Sequence, residues 1–201
     1  MPPPDLKLVC EGSPKEPEDL ADDDLMLLSR SGRQDAFDAL VRRHQSLVFG
    51  LATRYFADRT LGREVAQDVF LSLWAERERY RPRGKFTGYL VSATFHRCHY
   101  LARQRRSHDR KLGDFARESG TRQEPGDLPL DHLVEAERAR EVRAKLALLP
   151  AGMREVMILR YTQDLSIEEI ADLTGKPPGT VKSHLFRGLK RLARLLREDV
   201  S

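Results

Sequence analysis

The stretch Leu165–Leu196, LSIEEIADLTGKPPGTVKSHLFRGLKRLARLL, constrains this chain more than any other. Two helical patterns flank a Gly-Lys-Pro-Pro interruption. In the first, Ile167, Ile170, Ala171 and Leu173 recur at helical spacing. Ser166 stands as a cap and Glu169 follows three residues on, which is the capping-box arrangement. Gly175 suits the left-handed end of a helix, and the prolines stop it from continuing. In the second pattern, Val181, Leu185, Leu189, Leu192 and Leu196 fall on one face, and Ser183, Arg187, Lys190 and Arg194 on another. A short helix, a tight turn and a longer helix with apolar and basic faces make a helix-turn-helix.

The exposed first turn of the second helix carries Gly179, Thr180, Lys182, Ser183 and His184. Small and hydrogen-bonding side chains of this kind reach base edges and phosphates. The plainer alternative is an amphipathic helix pair with a solvated charged face. Against it, Lys182, Arg187, Lys190, Arg191, Arg194 and Arg197 are opposed only by Glu198, and an unbalanced basic stripe on a helix-turn-helix points to DNA.

The charge of the whole chain fits that partner. Its net charge of +4 hides an asymmetry, because the eight acids and two lysines of residues 1–24 leave +10 on the remainder. A basic body suits a polyanion. At 201 residues the chain forms one large or two small domains. The sequence shows no membrane-length apolar run and no signal peptide, so membrane insertion is not expected and a cytoplasmic location is. Cys10 and Cys98 are too few for a disulfide framework.

Residues 1–21, rich in Pro and acid, read as a disordered acidic tail, either solubilising or shielding the basic surface. Asp24 is placed to cap a helix through Leu25 to Ser31, ended by Gly32. A long helix follows over about 35–57, with His44 on its apolar stripe as a core or boundary residue. A third spans about 61–79, with Ala66, Val69, Phe70, Leu73 and Trp74 as its core stripe. Glu64, Gln67, Asp68, Leu71 and Ser72 lie off that stripe, and an exposed Leu71 beside acids hints at a protein partner.

Tyr80–Gly88 is a loop that mixes aromatics with cations. Rings stack on bases and cations hold phosphates, so the loop suits a single strand. Equally, Phe86 and Tyr89 can plug the core where the next helix, about 87–106, begins. That helix ends in the cluster Arg103-Gln-Arg-Arg106, which either meets phosphate or complements the helix dipole. Residues 107–130 carry scattered Gly and Pro without an apolar period and read as a linker. Two more helices precede the helix-turn-helix. No strand alternation persists, so the chain is all-α.

Catalytic and nucleotide-binding motifs are absent from the sequence. His96 and His99 are spaced to share one helix face while Cys98 points elsewhere, too few ligands for a structural metal. Neither metal nor cofactor is expected.

With these parts in view, the chain resembles the extracytoplasmic-function sigma factors, the small two-domain members of the sigma-70 family. The resemblance covers residues 22–106 and 131–197. Gly62–Trp74, GREVAQDVFLSLW, is similar to the family's core-binding segment at Glu64, Ala66, Gln67, Val69, Phe70 and Trp74. Leu149–Leu192 is similar to the family almost throughout. The resemblance implies two small helical domains joined by a flexible linker. Residues 22–106 would be region 2-like and residues 131–201 region 4-like.

It further implies core polymerase binding through Glu64, Gln67, Asp68, Leu71 and Ser72. The −10 element would meet Arg83, Lys85, Phe86, Tyr89, His96, Arg97, Arg103 and Arg106. The −35 element would meet Thr180, Lys182, Ser183, His184, Arg187 and Lys190. The chain departs from the family's common residues at Arg63, Tyr89, His96, Tyr100 and His184, which leaves the identity of the −10 bases open. The implied function is a promoter-specificity subunit, monomeric when free, that partners core RNA polymerase, promoter DNA and an anti-sigma factor. It would not be an enzyme. The rivals are a stand-alone helix-turn-helix regulator, which would usually dimerise on two half-sites, and a helical enzyme or RNA-modifying module whose basic loop grips single strands.

Overall fold

A computed structural model describes residues 16–112 and 130–198. Eight α-helices occur in them: α1 (Asp22–Arg30), α2 (Gln34–Phe56), α3 (Arg59–Ala75), α4 (Phe86–Leu112), α5 (Leu130–Ala147), α6 (Ala151–Thr162), α7 (Ile167–Thr174) and α8 (Pro178–Arg197). No strand occurs among the described residues. Nor is any described helix long and apolar enough to cross a membrane.

The first four helices pack around α2. Its buried stripe, Ala36, Ala39, Leu40, His44, Val48, Leu51, Ala52 and Tyr55, follows helical periodicity. The chain leaves α2 through Ala57 in the left-handed conformation, and Asp58 starts α3 by accepting the Thr60 and Leu61 backbone N–H groups at 2.7 and 3.1 Å. Antiparallel α2 and α3 then approach closely at Gly62. A Cβ there would lie 2.2 Å from Thr53 Oγ1 and 3.1 Å from the Thr53 backbone. Val65, Val69, Phe70 and Leu73 of α3 face the core with Leu90, Val91 and Phe95 of α4.

Four boundaries differ from the sequence reading. Helix α3 ends at Ala75 rather than near residue 79, and Arg77–Arg79 form a separate 3-10 turn. The acidic tail is not structureless up to residue 21. Pro17–Asp19 form a 3-10 turn, and Glu18 Oε1 accepts Arg42 Nη2 at 2.7 Å. Arg43 Nη1 and Nη2 meanwhile donate to the Leu20 and Glu18 carbonyls. Asp24 is not the cap of α1; Ala21 holds that position without a side-chain bond. Helix α4 continues to Leu112, six residues into the stretch read as linker. Residues 1–15 of the tail and 113–129 of the linker lie outside the described residues.

In the second half, α6 is the central element, buried from Arg154 to Leu159. The capping box at Ser166 is formed as read. The Glu169 N–H donates to Ser166 Oγ at 3.2 Å, and the Ser166 N–H donates to Glu169 Oε2 at 2.8 Å. Gly175 closes α7 at φ 66°. The buried seam of α8 is shifted, however. Val181 and Gly188 are buried, His184, Leu185, Leu192 and Leu195 are partly so, and Leu189 is 45% exposed. A glycine lets the helices approach: a Cβ on Gly188 would meet Met157 at 3.1 Å. The apolar spacing of leucines alone pointed to Leu189 and missed Gly188.

The halves are docked on each other. Arg154, 8% exposed, donates to the Leu149 carbonyl at the α5–α6 junction (2.8 Å) and to the Tyr55 carbonyl of α2 (2.9 Å). Its guanidinium lies 4.6 Å from the Tyr55 ring centroid. Beside it, the buried Glu155 accepts Lys176 Nζ at 2.7 Å and stands 3.9 Å from His99 Nε2 of α4. Burial is the main cause that holds the His99 imidazole below its usual range, against the pull of Glu155.

Candidate polymerase and nucleic-acid interfaces

Three exposed surfaces collect the residues singled out above. The first is the outer stripe of α3. Glu64, Gln67, Leu71 and Ser72 are exposed and Asp68 is half-buried, so the five fall at i, i+3, i+4, i+7 and i+8. Leu71 is 58% exposed. A depression opens on each side of this stripe. One, of about 680 Å³ between α2 and α3, is lined by Phe37, Val41, Phe49, Gln67, Leu71 and Trp74 among others. The Phe37 and Trp74 rings meet there at a tilt, with centroids 4.9 Å apart. On the α2 side, Phe37 and Val41 fall on the apolar stripe of that helix and are only partly buried, so the sequence pattern alone does not mark them as groove residues. The other depression, about 290 Å³ between α3 and α4, includes Asp68, Ser72, Tyr89, His96, Arg97 and Tyr100.

The second surface is the loop before α4 and the face of α4 that follows it. Arg83, Lys85, His96, Arg103 and Arg106 are exposed, and the Tyr89 ring is 45% exposed. Two of the eight residues do not stand free. Phe86 is only 4% exposed, wedged between His44 (5.3 Å), Tyr80 (6.0 Å) and Tyr89 (6.5 Å). Of the two roles open for Phe86, this structure places it as the plug and corrects its reading as a base contact. Arg97 is half-buried, and its Nε donates to Asp68 Oδ2 at 2.8 Å. Tyr89 is therefore the aromatic ring of this loop region that remains open to a base.

His96, Cys98 and His99 diverge. His96 is exposed, Cys98 is buried with its thiol pushed up to about 12 by burial, and His99 faces Glu155.

The third surface is α8. Lys182, Ser183, Arg187 and Lys190 are exposed on its outer side, and Thr180 is half-buried. His184 is not on that side. It turns toward the first turn of α6, where a Cβ on Gly152 would come 3.0 Å from its Cε1, and its Nδ1 is buried without a partner. This corrects its placement among the DNA-facing residues. Phe186 takes a place there instead, 71% exposed between Lys182, Ser183, Arg187 and Lys190. Sequence reasoning passed over it, although position 186 lies three residues from Ser183 and four from Lys182 and Lys190. An exposed ring amid cations on a recognition helix offers apolar contact to a thymine methyl group.

Comparison with known proteins gives these surfaces a family. The sigma-70 region 2 family model matches residues 40–108 and the sigma-70 region 4 family model matches residues 139–192. RNA polymerase sigma factor CarQ of Myxococcus xanthus is 30% identical over 169 residues, covering 84% of this chain and 94% of that protein. The ECF RNA polymerase sigma-E factor of Haemophilus influenzae is 30% identical over 175 residues, covering 85% of this chain and 92% of that one. A solved structure of CnrH in complex with the cytosolic domain of CnrY is 26% identical. It superposes with a TM-score of 0.62 over 90% of this chain and 99% of CnrH. A stand-alone helix-turn-helix regulator would not account for the region 2 match. Because the likeness extends through both halves, the chain belongs to the extracytoplasmic-function group of the sigma-70 family of RNA polymerase sigma factors.

Proposed function

We propose that the three surfaces divide the work of promoter recognition and opening among them. The outer stripe of α3, with Leu71 at its centre and the aromatic groove beside it, docks on core polymerase. Tyr89 and the cations of loop 80–85 and α4 hold the opened −10 strand. The outer face of α8 enters the −35 major groove. The observation that carries this reading is the α8 face: a basic row with an exposed ring at its centre, on the second helix of a helix-turn-helix.

The polymerase supplies the chemistry, so the chain itself works without a catalytic group or cofactor, as a monomer in the cytoplasm. An anti-sigma protein is its natural antagonist. A solved complex of the sigma factor RpoE with the anti-sigma factor NepR from Bartonella quintana supports that kind of partner, and the mainly apolar α2–α3 groove offers a surface on which it would compete with polymerase. The halves also have to part. The −35 and −10 elements are about 25 base pairs apart, roughly 85 Å along straight duplex at 3.4 Å per pair. A compact chain of 201 residues has a radius of gyration of only about 16 Å, so halves held together through Arg154 and Tyr55 would fall short of that span.

Assembly with core polymerase tests the first assignment. Wild-type chain should co-elute with core as a 1:1 complex. Replacing Gln67 and Leu71 with charged residues should abolish co-elution with helicity unchanged. Unaltered co-elution would remove that face from the polymerase contact.

A further inference from the structure

A carboxylate of α1 spans the strand-capture loop. Asp23 Oδ2 accepts the backbone N–H of Gly84 at 2.7 Å, and Asp23 Oδ1 accepts the Tyr80 hydroxyl. One side chain thus ties residues 80 and 84, which bracket Arg81–Arg83 within the basic loop Tyr80–Lys85. Gly84 sits at φ 64°, where the backbone turns to present its N–H. Tyr80 then carries the order outward, its ring edge-on to Tyr89 at 5.8 Å. The adjacent Asp22 serves a parallel line. Its Oδ2 is 2.9 Å from His44 Nε2, and the His44 ring lies against Phe86. Both acids belong to the run Asp22-Asp23-Asp24, which the sequence places at the start of the first domain without showing what Asp22 and Asp23 bind.

We propose that Asp23 is a positioning residue for strand opening. It holds loop 80–85 and, through Tyr80, the Tyr89 ring in the geometry that receives an unpaired −10 base. The proposal rests on the sigma-factor reading of α4 given above. The loop carries Arg81, Arg83 and Lys85, all exposed, so like charges spread it when nothing ties residues 80 and 84. Ordering a free loop on DNA costs backbone entropy that a preset loop has already given up. The Tyr80 hydroxyl is the largest cause that keeps the Asp23 carboxyl below its usual range. The Gly84 and Arg83 backbone N–H groups add to it, and burial opposes it. The charged acceptor is therefore present at neutral pH and bonds both residues more strongly than a neutral one.

The test uses the full-length chain with core polymerase. Asp23→Ala should lower permanganate reactivity of unpaired −10 thymines on duplex promoter about tenfold, the scale of losing a charge-assisted hydrogen bond. Core binding and −35 duplex binding should stay at the wild-type level. A template already unpaired across −10 should restore most transcription. Tyr80→Phe keeps the ring and removes only the hydroxyl; it should show the same defect more weakly, and adding it to Asp23→Ala should cost little more. Wild-type opening by both variants would overturn the proposal. So would a defect that persists on the unpaired template, or one that follows a fall in core binding and thermal stability, since either marks a purely structural role. If wild-type chain itself failed to open the promoter, the sigma-factor reading of α4 would fall first and this proposal with it.

Discussion

Arg97 on α4 is bound to Asp68 on α3, and its guanidinium lies 5.1 Å from the Tyr100 ring centroid. One of these residues was assigned to the −10 strand and the other to core polymerase, so the two surfaces meet at this pair. Both side chains are about a third exposed, and pairs of this kind are worth up to about 1 kcal/mol. Asp68→Ala should therefore barely move the thermal transition. It should free the Arg97 cation, steepening the salt dependence of single-strand binding by about one ion. Titration of holoenzyme with a −10 oligonucleotide at several salt concentrations checks this. An unchanged slope would mean that Arg97 faces no phosphate.

On α8, Arg187→Ala should cost about 1–3 kcal/mol of promoter affinity with relaxed −35 specificity if it reads a base. If it meets phosphate it should lower the salt slope by about one. Phe186 gives a sharper signature. Replacing −35 thymines one at a time by deoxyuridine removes only the methyl group. Wild-type holoenzyme should bind one such duplex more weakly, and Phe186→Ala should bind the two alike. His184→Ala should act differently, lowering stability of the second half without changing −35 preference, because its ring packs on α6.

Phe86 and Tyr89 separate packing from base capture. Phe86→Ala should destabilise the first half by about 3–5 kcal/mol, as large-to-small core changes do, and core binding should fall with it. Tyr89→Ala should leave the thermal transition near wild type and reduce −10 opening. Stacking on a ring offers about 1–3 kcal/mol per base. Denaturation curves with permanganate footprints on the same variants decide this, and equal effects from the two would refute the division.

The docked halves should come apart as pH falls. His99 is half-buried with Nε2 lacking a hydrogen-bond partner, and it faces Glu155, Lys176, His96 and Arg103. Its folded pKa lies below the unfolded value, so the undocked or unfolded chain binds more protons. Stability of the docked form is complete above the ordinary imidazole range and declines as pH drops through it. Energy transfer between dyes on the halves should weaken in that window. His99→Gln should flatten the dependence, and a pH-independent signal in the wild type would contradict it.

Much of this was legible from sequence because it is local. The Ser166–Glu169 box, the Gly175 stop and the outer stripe of α3 each follow from residue type and spacing over a few positions. What was missed depends on long-range partners. Gly188 rather than Leu189 is buried because α6 brings two methionines against it, and His184 turns inward because Gly152 leaves room. Asp22 and Asp23 have no visible partners in the sequence until α2 presents His44 and the loop presents Tyr80 and Gly84. Phe86 could serve equally as base stacker or plug until three rings closed around it.

The central claim is that this chain gives core polymerase the ability to choose and open a promoter. The most direct measurement is permanganate footprinting on a library of genomic promoter duplexes with purified core polymerase, with and without the chain. The account predicts that reactive thymines near −10 appear on a subset of promoters sharing one −35 sequence, only when both components are present, and that run-off transcripts start from the same subset. Opening without the chain, or binding by the chain that never yields unpaired thymines or a transcript, would contradict it.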